Sequence, residues 1–86
     1  MALTGRDRDI LAFERSWWTR SEVRAKEAVI GEELELSASR YYQLLSELID
    51  DPDALAEDPL LVRRLRRARE RRRRNRIEGR SVGTRS

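Results

Sequence analysis

Neither cysteine nor histidine occurs in these 86 residues. The first absence excludes a disulfide framework, a zinc knuckle and thiol chemistry. The second removes the commonest metal ligand and the commonest general base. No apolar run approaches the ~18–20 residues that a membrane-spanning helix needs, and the N-terminus lacks the apolar core of a signal peptide. Serines are plentiful, but the lone lysine, Lys26, sits in a helical pattern, and nothing nearby would activate a hydroxyl. These absences lead us to expect a soluble, cytoplasmic, non-catalytic chain. It needs no cofactor, no metal and no membrane, and no small-molecule ligand is evident. At this length it forms one domain around a modest core.

Charge is abundant and sharply divided. Residues 1–62 carry seven basic side chains against fourteen acidic ones, a net of −7, whereas residues 63–86 carry twelve arginines against Glu70 and Glu78, a net of +10. Ten of the fourteen residues in Arg63–Arg76 are arginine. Such a run repels itself unless phosphates or an acidic protein surface neutralise it.

Local patterns read as helices throughout. Thr4 and Asp7 have the spacing of a capping box, and the helix behind them places Ile10, Phe13 and Trp17 on one face, with Leu11, Glu14 and Trp18 beside it. Of the two adjacent tryptophans, one belongs to the core and the other to its rim. Ser21 is expected to cap a second helix reaching Leu34, with Val23, Ile30 and Leu34 inward and Glu22, Arg24, Glu32 and Glu35 outward. Gly31 lies four positions before the turn Glu35-Leu36-Ser37, where a small residue lets two helices cross closely. Ser37 caps a third helix, Ala38 to about Ile49. Ala38, Tyr41, Tyr42, Leu45, Leu48 and Ile49 face inward there, and Ser39, Arg40, Gln43, Ser46 and Glu47 face outward.

Asp51-Pro52 opens a single turn and Asp58-Pro59 a further helix, each a cap followed by proline at the first helical position. In that helix Leu61, Leu65 and Ala68 continue an inner stripe, which then stops. The arginine segment beyond should fray alone and order on phosphate, ending in an unstructured stretch, Gly79–Ser86. The expected architecture is all-α: a compact three- to four-helix bundle over 1–68, with a helix-turn-helix at about 22–49. An arginine-rich helical extension and tail follow over 69–86.

Three separated motifs then come together: FERSWW at Phe13–Trp18, LSASRYYQLLSELIDDP at Leu36–Pro52 and DPLLVRRLRR at Asp58–Arg67. In that order they resemble a family of small actinobacterial proteins of unknown function with a predicted helix-turn-helix, over most of Asp7–Arg74. The resemblance implies a cytoplasmic protein with a DNA-binding-like fold, and it carries over no assigned residues. Glycine is usual in that family where this chain has Glu35.

Taken together these features lead us to expect a DNA-binding protein, either a transcriptional regulator or a nucleoid-associated protein. The third helix would enter the major groove of double-stranded DNA and read bases with Ser39, Arg40, Gln43 and Ser46. The phosphate backbone would meet Ser37 and the arginines Arg63, Arg64, Arg66, Arg67, Arg69, Arg71, Arg72, Arg73, Arg74 and Arg76. So few base-reading side chains would need a homodimer for strong sequence choice. The alternative is an adaptor whose acidic helical surface docks on RNA polymerase or a sigma factor. A third option is RNA bound through the arginine segment.

Overall fold

The third helix of the chain packs against each of the other four. In the computed structural model, which describes residues 3–85, with side chains placed for residues 3–76, five α-helices follow one another. They are α1 (Gly5–Trp17), α2 (Lys26–Leu34), α3 (Ala38–Ile49), α4 (Pro52–Glu57) and α5 (Pro59–Arg85). The described residues contain no strand.

Short polar signals set most of the helix starts. The Thr4 hydroxyl accepts the Asp7 amide at 3.1 Å, and the Asp7 carboxylate accepts the Thr4 amide at 3.0 Å, so the expected capping box forms. Ser37 Oγ accepts the Arg40 amide at 3.1 Å, and Asp51 accepts the Asp53 amide at 2.8 Å ahead of Pro52. Proline at the first helical position loses nothing, because its missing amide would have been unbonded anyway.

The core of the described residues comprises Leu3, then Ile10, Leu11 and Phe13 of α1, Val29 and Ile30 of α2, Tyr41, Leu45, Leu48 and Ile49 of α3, Ala54 of α4, and Leu61, Val62 and Leu65 of α5. Each of the larger side chains contributes roughly 1.5–3 kcal/mol when fully buried. Phe13 stacks on Trp17 at 5.7 Å and meets Tyr41 edge-on, also at 5.7 Å. Trp17 is half-buried against the core and Trp18 stands at the rim.

Among the described residues one charged side chain is buried. Glu14 is 2% exposed. Its Oε1 accepts from Lys26 Nζ at 2.6 Å and from the Tyr41 hydroxyl at 2.5 Å. Burial first, and then the bond to Glu14, push the Tyr41 hydroxyl far above the ordinary phenol range. The Lys26 ammonium lies about 6 Å from the Trp17, Tyr41 and Tyr42 rings, with separations of 6.0, 5.9 and 5.8 Å. This ammonium is both the counter-ion of Glu14 and the centre of an aromatic box.

Three expectations fail between Ser21 and Gly31. The second helix begins at Lys26, after Ala25, with no side-chain cap. Ser21 caps nothing, and Val23 is 99% exposed instead of facing inward. The reason is local. The Glu22 carboxylate takes both the backbone amide and the guanidinium of Arg24, at 3.2 and 3.1 Å, so a side chain competes with the helix for that amide. Arg24 also reaches Glu32, and Arg20 holds Glu33 through two bonds of 2.7 Å, so the segment is pinned to α2 by ion pairs.

Gly31 is the third. It is exposed, and a Cβ there would meet only the Leu36 carbonyl oxygen at 3.8 Å, an ordinary contact. The neighbouring side chains Val29 and Ile30 fill the space between the helices, so the crossing does not depend on glycine. Gly31→Ala is therefore expected to be neutral or stabilising, by up to about 1 kcal/mol, since alanine favours a helix interior. A urea midpoint that falls instead would mean a tighter crossing.

At the turn, Glu35 takes a left-handed backbone, φ 56°, which glycine adopts without strain. On α3, Tyr42 departs from the inward set, at 39% exposed, while Val62 on α5 joins the core at 0% exposed. The packed part of α5 closes with Leu65 and the half-buried Ala68. Its backbone runs helically across the expected boundary at residue 68. The stretch Gly79–Ser86 lies outside the described side chains.

Candidate nucleic-acid interface

The outward side of α3 is built by its own N-terminus. Ser37 spends its hydroxyl on the Arg40 amide, which fixes the rotation at which α3 leaves the turn. Ser39, Arg40, Gln43, Ser46 and Glu47 are then all exposed. Arg40 donates to Gln43 Oε1 at 3.2 Å, so the two longest base-reading candidates lie side by side. Exposed carboxylates, Glu35 and Glu47, stand at either end of this face. Ser37 is exposed as well, but its oxygen already serves as a cap.

The arginines of α5 divide into two groups. Three are engaged by the protein itself. The Arg64 guanidinium lies 4.6 Å from the centre of the Trp18 ring. Arg66 Nε donates to the Ile49 carbonyl at 2.7 Å, satisfying a free acceptor at the end of α3. Arg69 grips the Asp50 carboxylate with two bonds, 2.8 and 3.1 Å. The Arg69 guanidinium holds Asp50 below the usual carboxylate range, and Asp50 raises Arg69 in return. Arg66 and Arg69 thus fasten the arm to the C-terminus of α3.

The others face solvent. Arg63, Arg67, Arg71, Arg72, Arg73, Arg74 and Arg76 are exposed and make no hydrogen bond or ion pair to another described residue. Spacing of 4, 4 and 3 places Arg63, Arg67, Arg71 and Arg74 on one side of the helix. Arg72, Arg73 and Arg76 share a separate concavity with Arg69. Asp50 joins the two parts of this surface, because it ends α3 and holds Arg69, the first arginine of that concavity.

Against this geometry stands one match. A family model covers residues 2–77. The chain belongs to the DUF3263 family. DUF3263 is described as a family of proteins of unknown function, and its match runs from before α1 to just beyond Arg76. No curated protein and no solved structure matches the chain. DUF3263 membership accordingly supplies kinship, and chemistry has to come from the side chains.

Sequence reasoning missed several of these side chains. The Glu14–Lys26 pair joins two helices twelve residues apart and leaves no local signature. The structural roles of Arg64, Arg66 and Arg69 were hidden inside a run of identical residues. Among the described residues no group of three or more metal-ligating side chains occurs, and no helix is long and apolar enough to cross a membrane.

Proposed function

We propose that this protein binds double-stranded DNA, as a cytoplasmic transcriptional regulator or nucleoid-associated protein. In this reading α3 lies in the major groove and the free arginines of α5 follow the phosphates. The observation that carries it is the placement of Ser39, Arg40, Gln43 and Ser46 together in solvent, on a helix whose far end anchors a cationic arm. Gln43 can pair with both edges of adenine and Arg40 with guanine, while the arginines supply sequence-independent attraction.

The adaptor reading draws less support. The acids that would face a basic partner such as RNA polymerase or a sigma factor are Glu22, Glu32, Glu33, Glu35 and the Asp50-Asp51 corner. Glu22, Glu32 and Glu33 are already paired with Arg20 and Arg24, and Asp50 with Arg69, while Glu35 stays exposed. The paired charges are largely cancelled within the fold.

A salt titration with duplex DNA tests the proposal. If about five to nine phosphates are neutralised, log affinity should fall against log salt with a slope of roughly −4 to −8. A slope near zero would remove DNA from consideration. Asp50 gives a sharper check within the same experiment. Its carboxylate competes with phosphate for Arg69 and repels the backbone itself. Asp50→Asn should therefore tighten binding several-fold and steepen the slope by about 0.9, the equivalent of one added contact. Unchanged affinity would show that Arg69 never leaves the protein.

A further inference from the structure

Between α1, α3 and α5 lies an open cleft of about 390 Å³. The DNA reading draws on two of its lining residues, Arg71 and Arg72, but leaves its aromatic walls and apolar floor unused. Its floor is apolar: Leu45, Ile49 and Leu65 line it and are nearly fully buried. Trp18 and Tyr42 line it too, and both rings are exposed, at 48% and 39%. Trp18 carries Arg64 against its ring, and Tyr42 packs edge-on against Tyr41 at 5.2 Å, so both rings are held in place.

The inner stripe of α5 changes chemistry as it crosses this cleft. Leu65, Ala68, Arg72 and Asn75 follow one another at spacings of 3, 4 and 3 residues, which keeps them on one side of the helix. A stripe that served packing alone would stay apolar. Here it becomes a cation and an amide, with Arg71 beside them on the lining. Neither Arg71 nor Arg72 makes a hydrogen bond or ion pair to another described residue. Of the acids near the cleft, Glu14 is committed to Lys26 and Tyr41, and Glu27 sits against the Tyr42 hydroxyl. The cleft therefore presents two uncompensated guanidinium groups above aromatic walls and an apolar floor.

We infer that this cleft is a binding site for a small, flat aromatic anion. Its ring lies against Trp18 and Tyr42, and its carboxylate or phosphate is held by Arg71 and Arg72. The volume falls in the range usual for small-molecule sites. A planar guanidinium suits a two-oxygen anion, and it also tolerates an aromatic neighbour. A neutral or cationic ligand would leave both arginines without a partner. A ligand seated here touches α3 and α5 at once, so it would brace the arm against the helix that carries Arg40 and Gln43.

The test uses the full chain labelled with ¹⁵N, titrated separately with 1-naphthoate, with adenosine monophosphate, and with sulfate at matched ionic strength. The Trp18 indole and Asn75 side-chain amide signals should shift saturably with at least one aromatic anion and stay nearly still with sulfate. Tighter binding of naphthoate would assign a carboxylate ligand, and tighter binding of the nucleotide a phosphate. Arg71→Ala/Arg72→Ala should weaken that binding by about tenfold or more, with an unchanged melting temperature, because both side chains are exposed and unpartnered. Tyr42→Ala should weaken it as well. The inference is overturned if sulfate moves the same signals equally, if the double variant binds as well as the parent, or if neither aromatic anion saturates.

Discussion

Replacing Lys26 with methionine should cost the protein about 3 kcal/mol of stability, since removing one partner strands a buried charge that the other had compensated. Glu14 is 2% exposed and accepts from Lys26 at 2.6 Å. The cost does not arise from the attraction alone. An ion pair of this kind is worth little against a well-packed apolar replacement, and the penalty appears when only half of it is deleted. The compensated variant should therefore behave differently. In Lys26→Met/Glu14→Gln the amide oxygen still accepts from Tyr41 while no charge remains to be buried, so most of the loss should return. Urea unfolding of the two variants beside the parent measures both effects. A Lys26→Met loss well below about 1 kcal/mol would mean that water reaches Glu14 and that the aromatic box is not closed.

The second large effect concerns the arm. A chain ending at Glu70 keeps Arg66 on Ile49 and Arg69 on Asp50, but lacks Arg71–Arg74, Arg76, Arg80 and Arg85. Its stability should stay within about 0.5 kcal/mol of the full chain, because the described side chains among those deleted, residues 71–76, are all exposed. Its affinity for duplex DNA at low salt should drop by about a hundredfold or more, with the salt slope falling to about −2. An equally steep slope after truncation would place the phosphate contacts elsewhere, on the head. Melting and binding thus separate: the Lys26 variant loses stability, and the truncated chain loses affinity.

Legibility from sequence followed the range of the interactions involved. Thr4, Ser37, Asp51 and Asp58 stand next to the helices they begin, and their positions were readable one residue at a time. The inward set of α3 was readable because five of its members recur at helical spacing over a single uninterrupted helix. Val23 shows where periodicity misleads. Its spacing from Ile30 fits one face of a helix, yet the Glu22–Arg24 bonds hold that stretch out of helical form. Gly31 shows a second limit, since a small residue at a plausible position says nothing about whether the neighbouring helix comes near. Adjacent Tyr41 and Tyr42 point in directions about 100° apart, so both could not be equally inward. The engagement of Glu14 by Lys26, and of Asp50 by Arg69, depends on how whole helices pack, and no pattern along the chain announces it.

The candidate surface was legible in outline only. Exposure of Ser39, Arg40, Gln43 and Ser46 followed from the phase of α3. The division of the arginines into anchors and free groups did not, because ten similar side chains offer no internal contrast. That division changes what the arm is for. Two of its members fix its direction relative to α3, so in the proposed reading the remainder would meet DNA at a set angle and position.

Selection of bound sequences from a random duplex pool addresses the central proposal most directly. If the solvent-facing side of α3 reads bases, the parent chain should enrich a defined motif. Gln43→Ala should then lose the preference at one base pair, worth about 1–3 kcal/mol of discrimination, while the salt slope hardly moves. Tight, salt-sensitive binding with no enriched motif in either protein would contradict base reading by α3 and leave the arginine arm as the whole of the interaction.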